Sequence, residues 1–447
     1  MPFLSSSLHI FYYFLSSMFP PFLLRKCARK SAAIILSAVS FIVFLFLDFL
    51  EIICCIIYRY LDEFFEGKAY PCYCENRGLK EESELSETLH KRKNVFRQMG
   101  FLGFARKWEN CKKPTGDGGG LIAANQWSDC GCESCTSWIK DGGGQNLHVV
   151  VREPSGVGVR KDCYGDLVEN VIFLHGFLSS SSFWTETVFP NLSEPVKRNY
   201  RLFAIDLLGF GRSPKPKNCF YTLTDHLEMI EKSVINNPFE LKSFHLVAHS
   251  MGCIIALALA AKYSNCVKSI TLIAPPYFPS SKEGASSAVL NKLAGKRLWP
   301  PLLFGSSLMS WYEHLGRCVC FLVCRNHRIW ERILKLLTWR RDLHFMIIDL
   351  TKHTHHSAWH TMHNVVCGGA KFADDFLETL VKSTVKIFVI HGDRDNVVPL
   401  ECSKNIKNKV PTAEVSIIPN ADHVSVIIGR EKEFTLNLER ICASVVE

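Results

Sequence analysis

The sequence contains no internal repeat and no run of basic residues interleaved with aromatic ones, the pattern expected of a nucleic-acid-binding surface. Charged residues make up only 21% of the 447 residues and the formal net charge is +9, so neither wholesale disorder nor a strongly basic protein is indicated. The densest basic cluster, from Arg25 to Lys30, adjoins an apolar stretch, as basic residues beside membrane segments do. We therefore expect no nucleic-acid partner.

Charge is also missing from a stretch within residues 1–60, where the 17 residues from Ser31 to Leu47 carry none. Asp48 and Glu51 then interrupt the apolar character. This length is near the lower limit for a membrane-spanning helix, which needs about 20 residues. A basic flank before an apolar core is typical of a signal peptide, but no clean cleavage site follows, so a retained signal-anchor is an equal alternative. Both interpretations place the rest of the chain outside the cytosol. The third alternative is a buried hydrophobic helix of the folded domain, which would imply no membrane crossing.

Seven of the 19 cysteines lie between Cys72 and Cys163. Behind a secretory segment, such a cluster favours disulfides in a loop-rich region. The run Cys130-x-Cys132-x2-Cys135 is an alternative zinc site, but it lacks the paired C-x2-C spacing of a zinc ribbon or finger. We therefore expect disulfides, with no metal and no other cofactor. Asn191 begins a sequon and is a candidate for glycosylation.

The chain is long enough for one large domain with added segments, and its 47% hydrophobic residues are sufficient for the core of such a domain. Residues 61–145 show no sustained periodicity and form a predicted Cys- and Gly-rich linker. Within 146–447, short apolar strands alternate with helices, which predicts a doubly wound, mostly parallel α/β sheet. The alternation stops between 276 and 383, so we predict a helical cap inserted between two strands.

A nucleophile motif lies in Ala248-His249-Ser250-Met251-Gly252, between a predicted strand and a predicted helix. Hydrolases of α/β architecture carry G-x-S-x-G there, because the serine occupies a sharp turn that requires small neighbours. Ala248 replaces the first glycine but is still small. Ser250 is therefore the candidate nucleophile, and the alternative is an ordinary serine in a strand-to-helix turn.

A serine hydroxyl needs a base that is itself oriented by a carboxylate, and in this architecture the acid and then the histidine follow the serine. Asp395 lies in the loop after a predicted strand, and His423 follows the next predicted strand. We predict a triad of Ser250, Asp395 and His423, with Asp393 as the alternative acid.

The oxyanion of an acyl-transfer intermediate requires backbone donors. We predict the amides of Met251, directly after the nucleophile, and of Phe177, in the loop after an early strand. A glycine before Phe177 allows the backbone to approach closely. The predicted supporting residues around these donors are His175, Gly176, His249 and Gly252.

From Leu147 to the C-terminus, five motifs in order resemble those of the capped serine hydrolases of the α/β-hydrolase superfamily: His175-Gly-Phe, Asp206-x2-Gly-x-Gly-x-Ser, Ala248-His-Ser-Met-Gly, Gly392-x2-Asp and Asp422-His. More narrowly, the chain resembles the plant BODYGUARD family. The features that carry this resemblance are the hydrophobic N-terminus, the cysteine-bearing linker, Leu174-His-Gly-Phe-Leu-Ser-Ser-Ser and the histidine-rich run Lys352–His363.

That resemblance implies a lysophospholipase or esterase that acts on lipid acyl esters in cutin and cuticle formation. It implies an extracellular or cell-wall location in the epidermis, associated with the plasma membrane through the N-terminal segment. Some family members are regarded as lipid-anchored, for which Cys54 and Cys55 are the candidates here.

The histidine run contains His353, His356, His360 and His363, whose spacing of three, four and three places them on one helical face. A metal site is conceivable. However, no carboxylate or thiolate belongs to the set, so we interpret it as a polar stripe of the cap that faces the mouth of the active site.

Two other functions are compatible with the same residues. An acyltransferase or cutin-polymerising transesterase would form the same acyl-enzyme and transfer it to a lipid hydroxyl. A non-catalytic binding protein would keep the fold without the reaction. The sequence does not separate hydrolysis from acyl transfer, and it predicts no oligomeric state.

Overall fold

The structure is a computed structural model of the whole chain. It describes residues 21–67, 73, 85–90, 94–99, 126–140, 146–155, 168–236, 238–279, 283–295 and 308–446, with side chains from residue 37 onward.

The centre of the molecule is a seven-stranded sheet in the order β1-β3-β2-β4-β5-β6-β7. The first strand is antiparallel to β3 and all other pairs are parallel. The strands are β1 Val149–Arg152, β2 Glu169–Leu174, β3 Tyr200–Ile205, β4 Phe244–His249, β5 Val267–Ile273, β6 Lys386–Gly392 and β7 Glu414–Ile418. This topology confirms the predicted doubly wound, mostly parallel α/β fold.

Helices pack around and beyond this sheet. They are α1 Pro21–Glu66, α2 Val95–Gln98, α3 Glu133–Lys140, α4 Ser182–Thr185, α5 Glu194–Asn199, α6 Leu223–Ile230, α7 Met251–Lys262, α8 Ala285–Leu293, α9 Glu313–Leu322, α10 His327–Thr338, α11 Phe345–Asp349, α12 His355–Thr361, α13 Ala373–Val381, α14 Glu401–Lys409 and α15 Glu431–Val446. Between β5 and β6, the structure describes α8 to α13, in the region of the predicted cap.

The core lies where β4 leads into α7. All six residues of β4 are buried, as expected for a central parallel strand covered on both faces. The next helix is buried over its first ten residues and is rich in alanine, so it approaches the sheet closely. This dense packing fixes the position of the turn between β4 and α7.

The N-terminal helix extends to Glu66, beyond the boundary predicted at residue 60, and its C-terminal half docks on the cap. Tyr312 donates its hydroxyl hydrogen to Asp48 at 2.8 Å, and the amides of His314 and Leu315 donate to Glu51 at 3.1 and 3.0 Å. The acidic residues that interrupt the apolar run are therefore buried contacts of α1 with the cap.

A third acid of α1, Asp62, forms a two-pronged ion pair with Arg317 of α9 at 2.7 and 2.6 Å. The indole of Trp127 also donates to Asp62 at 2.7 Å. The segment from Ser37 to Glu66 is long and apolar enough to cross a membrane by length and composition, and a signal sequence near an N-terminus meets the same criterion. Its exposed apolar side chains include Phe41, Ile42, Phe46, Ile56, Phe64 and Phe65.

Candidate active site

Ser250 lies on the sharp turn between β4 and α7, with φ of 52° and ψ of −120°. This backbone conformation is strained for a non-glycine residue, and it exposes the serine hydroxyl at the carboxyl edge of the sheet. Gly252 permits the turn, because a Cβ there would lie 2.7 Å from the backbone oxygens of both Leu174 and His175. The predicted requirement for small neighbours thus has a direct steric cause at this position.

The structure brings Ser250, His423 and Asp395 together in one line of hydrogen bonds. Nε2 of His423 lies 3.0 Å from Oγ of Ser250, and Nδ1 of His423 lies 2.7 Å from Oδ2 of Asp395. The other carboxylate oxygen of Asp395 accepts the amides of Val397 and Val398, each at 2.8 Å. This arrangement leaves Nε2 of the imidazole unprotonated and able to accept the serine proton.

Asp395 is held in its ionised form. Burial alone would raise the pKa of Asp395, but hydrogen bonds from His391 and His423 outweigh burial and hold that pKa well below its usual range. His391 lies 3.3 Å from Asp395, accepts the hydroxyl of Ser403 at 2.6 Å through Nδ1, and donates from Nε2 to the carbonyl of Val398 at 3.0 Å. The histidine therefore also fixes the loop that carries the acid.

Asp393, the alternative acid, is exposed to solvent. Its amide donates to the carbonyl of Ile418 at 3.1 Å, which joins the loop after β6 to the end of β7. The structure thus brings Asp395, and not Asp393, to the imidazole of His423.

Of the two predicted oxyanion donors, Met251 directly follows the nucleophile and Phe177 lies in a loop that passes beside it. Met251 is the first residue of α7, so its amide has no acceptor within the helix. Phe177 follows Gly176, where a Cβ would lie 3.2 Å from the Cβ of Ser250. The loop after β2 therefore passes directly beside the serine, as an oxyanion loop must.

His175 fixes this loop, which carries the predicted oxyanion donor Phe177. Its buried imidazole accepts the amide of Leu207 at 2.9 Å through Nε2 and donates from Nδ1 to the carbonyl of Gly176 at 2.7 Å. Burial lowers the pKa of His175, so the ring stays neutral and keeps both hydrogen bonds. The histidine thereby joins the loops that follow β2 and β3.

His249 has a role that the sequence did not predict in detail. Its Nε2 donates to the backbone oxygen of His423 at 2.9 Å, and its ring stacks on Phe183 with centroids 4.9 Å apart. Burial lowers the pKa of His249 to about 3, so it remains neutral. The side chain holds the loop of the base against the turn of the nucleophile.

Asp206 is a further structural residue that the sequence showed only as part of a motif. Its carboxylate accepts the amides of Ser181 at 2.6 Å and Arg212 at 2.7 Å, and it lies 3.1 Å from Nδ1 of His148. Burial would raise the pKa of Asp206, but the hydrogen bonds from His148 and Arg212 hold it well below its usual range. The charged carboxylate ties together the loops beside the site.

The predicted polar stripe of histidines on the cap is wrong. A capping box between Thr354 and Ser357 begins α12 after His353, so His353 is not on the helical face. His356 donates to the carbonyl of Cys219 at 2.8 Å, and burial lowers the pKa of His356 to about 4. Two further histidines of the run, His360 and His363, are buried within the cap.

The expectation of disulfides also fails for the described part of the cysteine cluster. Cys130, Cys132 and Cys135 are not joined in disulfides, and their thiols surround His327 instead. The other predicted members lie outside the described residues, namely Cys72, Cys74, Cys111 and Cys163.

The structure gives the surroundings of the predicted modification sites. Sγ of Cys54 lies 3.7 Å from Sγ of Cys318, where α1 contacts the cap, and Cys55 is half-buried beside it in the chain. The side-chain amide of Asn191 donates to the carbonyl of Thr187 at 2.7 Å. Lipidation of Cys54 or glycosylation of Asn191 would have to break the contact named for that residue, and the modifications stay predictions.

Comparison with known proteins relates these features to a family. Residues 169–429 match the family model described as the alpha/beta hydrolase fold. Probable lysophospholipase BODYGUARD 4 of Arabidopsis thaliana is 55% identical over 423 residues, which cover 93% of this chain and 99% of the relative. Probable lysophospholipase BODYGUARD 5 of the same plant is 52% identical, covering 93% and 97%. BODYGUARD 1 is 40% identical, covering 90% and 95%.

Proposed function

Since the chain belongs to the BODYGUARD family of α/β-hydrolase-fold proteins, we propose that it is a serine esterase that cleaves the acyl ester of a lysophospholipid or a similar lipid. The observation that carries this proposal is the hydrogen-bonded line from Ser250 through His423 to Asp395. A serine activated in this way attacks acyl carbonyls, and the family relatives are named as lysophospholipases, which cleave acyl esters. Both observations support acyl-ester cleavage as the reaction.

In the proposed mechanism, Oγ of Ser250 attacks the acyl carbonyl while Nε2 of His423 takes the hydroxyl proton. The amides of Met251 and Phe177 donate hydrogen bonds to the oxyanion of the tetrahedral intermediate. His423 then gives its proton to the leaving alcohol oxygen, and the acyl group stays on Ser250. A water molecule, deprotonated by His423, attacks the acyl carbonyl; the bond to Oγ then breaks, His423 returns the proton to Ser250 and the fatty acid leaves. Asp395 keeps the imidazole oriented and stabilises its positive charge.

Apolar side chains beside the nucleophile support a lipid acyl group as substrate. Phe177 and Leu178 follow Gly176 in the oxyanion loop and are only partly buried. The ring of Phe177 packs edge-on against Phe210 at 5.7 Å. An acyl chain would extend the same apolar surface, whereas a polar substituent would lose its hydration there.

We further propose that the protein acts outside the cytosol, at the plasma membrane or in the cell wall, in cutin and cuticle formation. The family resemblance supports the biological role, and the long apolar helix α1, whose first turns carry basic residues before the apolar run, supports attachment to a membrane. A thioester-linked lipid at Cys54 or Cys55 would add a second anchor.

The test uses the full chain purified in detergent. A fluorophosphonate probe is expected to label wild-type protein on Ser250, and a lysophospholipid is expected to release fatty acid. Incubation with glycerol as an added acyl acceptor distinguishes hydrolysis from acyl transfer, because the second reaction yields a monoacylglycerol instead of fatty acid. Folded protein that neither reacts with the probe nor turns over any acyl ester would show a binding protein instead of an enzyme.

A further inference from the structure

Three cysteines and one histidine from distant parts of the chain converge between the segment 126–140 and the cap. Cys130 and Cys132 precede α3, Cys135 lies in its first turn, and His327 begins α10. Sγ of Cys132 and Sγ of Cys135 lie 3.4 and 3.5 Å from Nε2 of His327. All four candidate ligand atoms lie within 4.8 Å of one another.

The two sulfur–nitrogen distances are close to those between the ligands of a tetrahedral zinc ion. Zinc binds cysteine sulfur at about 2.3 Å and imidazole nitrogen at about 2.0–2.1 Å. In a tetrahedron, sulfur and nitrogen ligands are then about 3.6 Å apart and two sulfurs about 3.8 Å apart. A disulfide would instead join two sulfurs at about 2.05 Å, and none of these three cysteines is joined in that way.

The surroundings of the four ligands resemble those of zinc sites in general. Nδ1 of His327 lies 2.7 Å from a carboxylate oxygen of Glu331, one helical turn later. Zinc-binding histidines commonly donate their second ring N–H to such a carboxylate, which fixes the ring and directs the other nitrogen at the metal. The amide of Cys132 also points at Sγ of Cys130, at 3.5 Å, and such a hydrogen bond stabilises a thiolate.

We propose that Cys130, Cys132, Cys135 and His327 bind a structural Zn²⁺ ion. Three thiolates and one imidazole are a soft donor set that selects zinc over magnesium or calcium. Four protein ligands leave no open position for water, so the ion is structural and not catalytic. It joins the region before the hydrolase domain to the cap. The sequence spacing did not reveal this site because the fourth ligand lies 195 positions after Cys132.

The proposal is tested by the zinc content of the full chain, purified in detergent and dialysed against metal-free buffer. His327→Ala is expected to lower the content by about one ion per chain. His327→Cys, which offers a fourth thiolate, is expected to retain the ion. The difference is the relevant quantity, because Cys320, Cys324 and His353 form a separate group of three potential ligands. Cobalt in place of zinc is expected to give the visible absorption of a tetrahedral thiolate complex in wild type and not in His327→Ala.

Cys266→Ser is the matched control, since this cysteine is partly exposed and belongs to neither group. Its zinc content is expected to equal that of wild type. Equal zinc content in wild type and His327→Ala would overturn the proposal. So would mass spectrometry of the unreduced chain that finds Cys130, Cys132 or Cys135 in disulfides.

A second inference concerns the surface of α10, the helix that His327 begins. Within this helix only His327 is buried. Its exposed side chains include Ile329, Trp330, Ile333, Leu336 and Leu337, and Trp339 directly after it is 94% exposed. Residues 325–341 contain six basic residues and one acid. Large apolar side chains among lysine and arginine are typical of helices that lie in a membrane surface.

This apolar surface continues onto the N-terminal helix. The ring of Phe65 on α1 lies 5.0 Å from that of Trp127, which in turn lies 5.6 Å from Phe321. The indole of Trp330 donates to the carbonyl of Leu322 at 3.0 Å. Leu322 directly follows Phe321, so α10 lies beside the end of α9 that contacts Trp127. These contacts connect α10 to the C-terminal end of α1 through Trp127 and Phe321.

We infer that α10 binds a bilayer that contains negatively charged phospholipid, with its tryptophans among the lipid chains and its basic residues at the headgroups. In vesicles reconstituted with the full chain, brominated phospholipid is expected to quench tryptophan fluorescence. The quenched fraction is expected to fall in Trp330→Phe/Trp339→Phe and to persist in Trp138→Phe, which removes a buried indole. Unchanged quenching in the double variant would show that α10 lies in water.

Discussion

Replacing Ser250 with alanine is expected to reduce kcat for ester cleavage by about a millionfold. The substitution removes the only atom proposed to form a bond with the acyl group, and the Nε2 of His423 then has no hydroxyl to deprotonate. Alanine has a smaller side chain than serine, so the turn and the oxyanion amides are expected to remain in place. Release of fatty acid from a lysophospholipid by the purified full chain measures the effect, together with fluorophosphonate labelling.

The matched control is Ser444→Ala, which removes an exposed hydroxyl on the last helix. Its rate and its labelling are expected to equal those of wild type. If Ser250→Ala keeps a rate within tenfold of wild type while it remains folded, another residue is the nucleophile and the proposed mechanism is wrong.

Asp395→Asn is expected to lower kcat by about ten-thousandfold with little change in the fold. The carboxylate accepts the Nδ1 hydrogen of His423 at 2.7 Å and thereby fixes the ring tautomer in which Nε2 is a base. A neutral amide neither stabilises the imidazolium nor enforces that tautomer. The measurement is kcat at several pH values for both proteins.

Asp393→Asn is the matched control, because Asp393 is an exposed acid two positions earlier on the same loop. It is expected to retain the wild-type kcat. The reverse result, with Asp393→Asn inactive and Asp395→Asn active, would assign the orienting acid to Asp393.

The sheet could be predicted from the sequence because buried parallel strands are continuous apolar runs. The central strand β4, Phe244–His249, is such a run, and all six of its residues are buried. The strand β6, Lys386–Gly392, is another, and every residue after Lys386 in it is buried. The loops after these strands meet at one edge of the sheet, so the residues of the site could be nominated from their order alone.

Contacts between distant segments could not be predicted in this way. The spacing of the histidines predicts one helical face only if a single helix includes His353. Thr354 is the N-cap residue of α12, so the helix begins after His353. Likewise, the sequence shows Asp48 and Glu51 only as interruptions of an apolar run. Their hydrogen bonds with Tyr312 and His314 join segments far apart in the chain and have no local signal. Such pairs depend on tertiary packing and leave no periodic signal.

The ion pair between Asp62 and Arg317 has a consequence for maturation of the protein. Proteolytic removal of α1 would leave the buried guanidinium of Arg317 without its carboxylate, and loss of one partner of a buried pair costs about 3–5 kcal/mol. It would also deprive the amides of His314 and Leu315 of their acceptor, Glu51. Processing before residue 48 would spare all of these contacts, whereas processing after residue 62 would loosen the cap. The part of α1 from Asp48 onward is thus expected to persist in the mature protein, because the cap depends on its buried carboxylates.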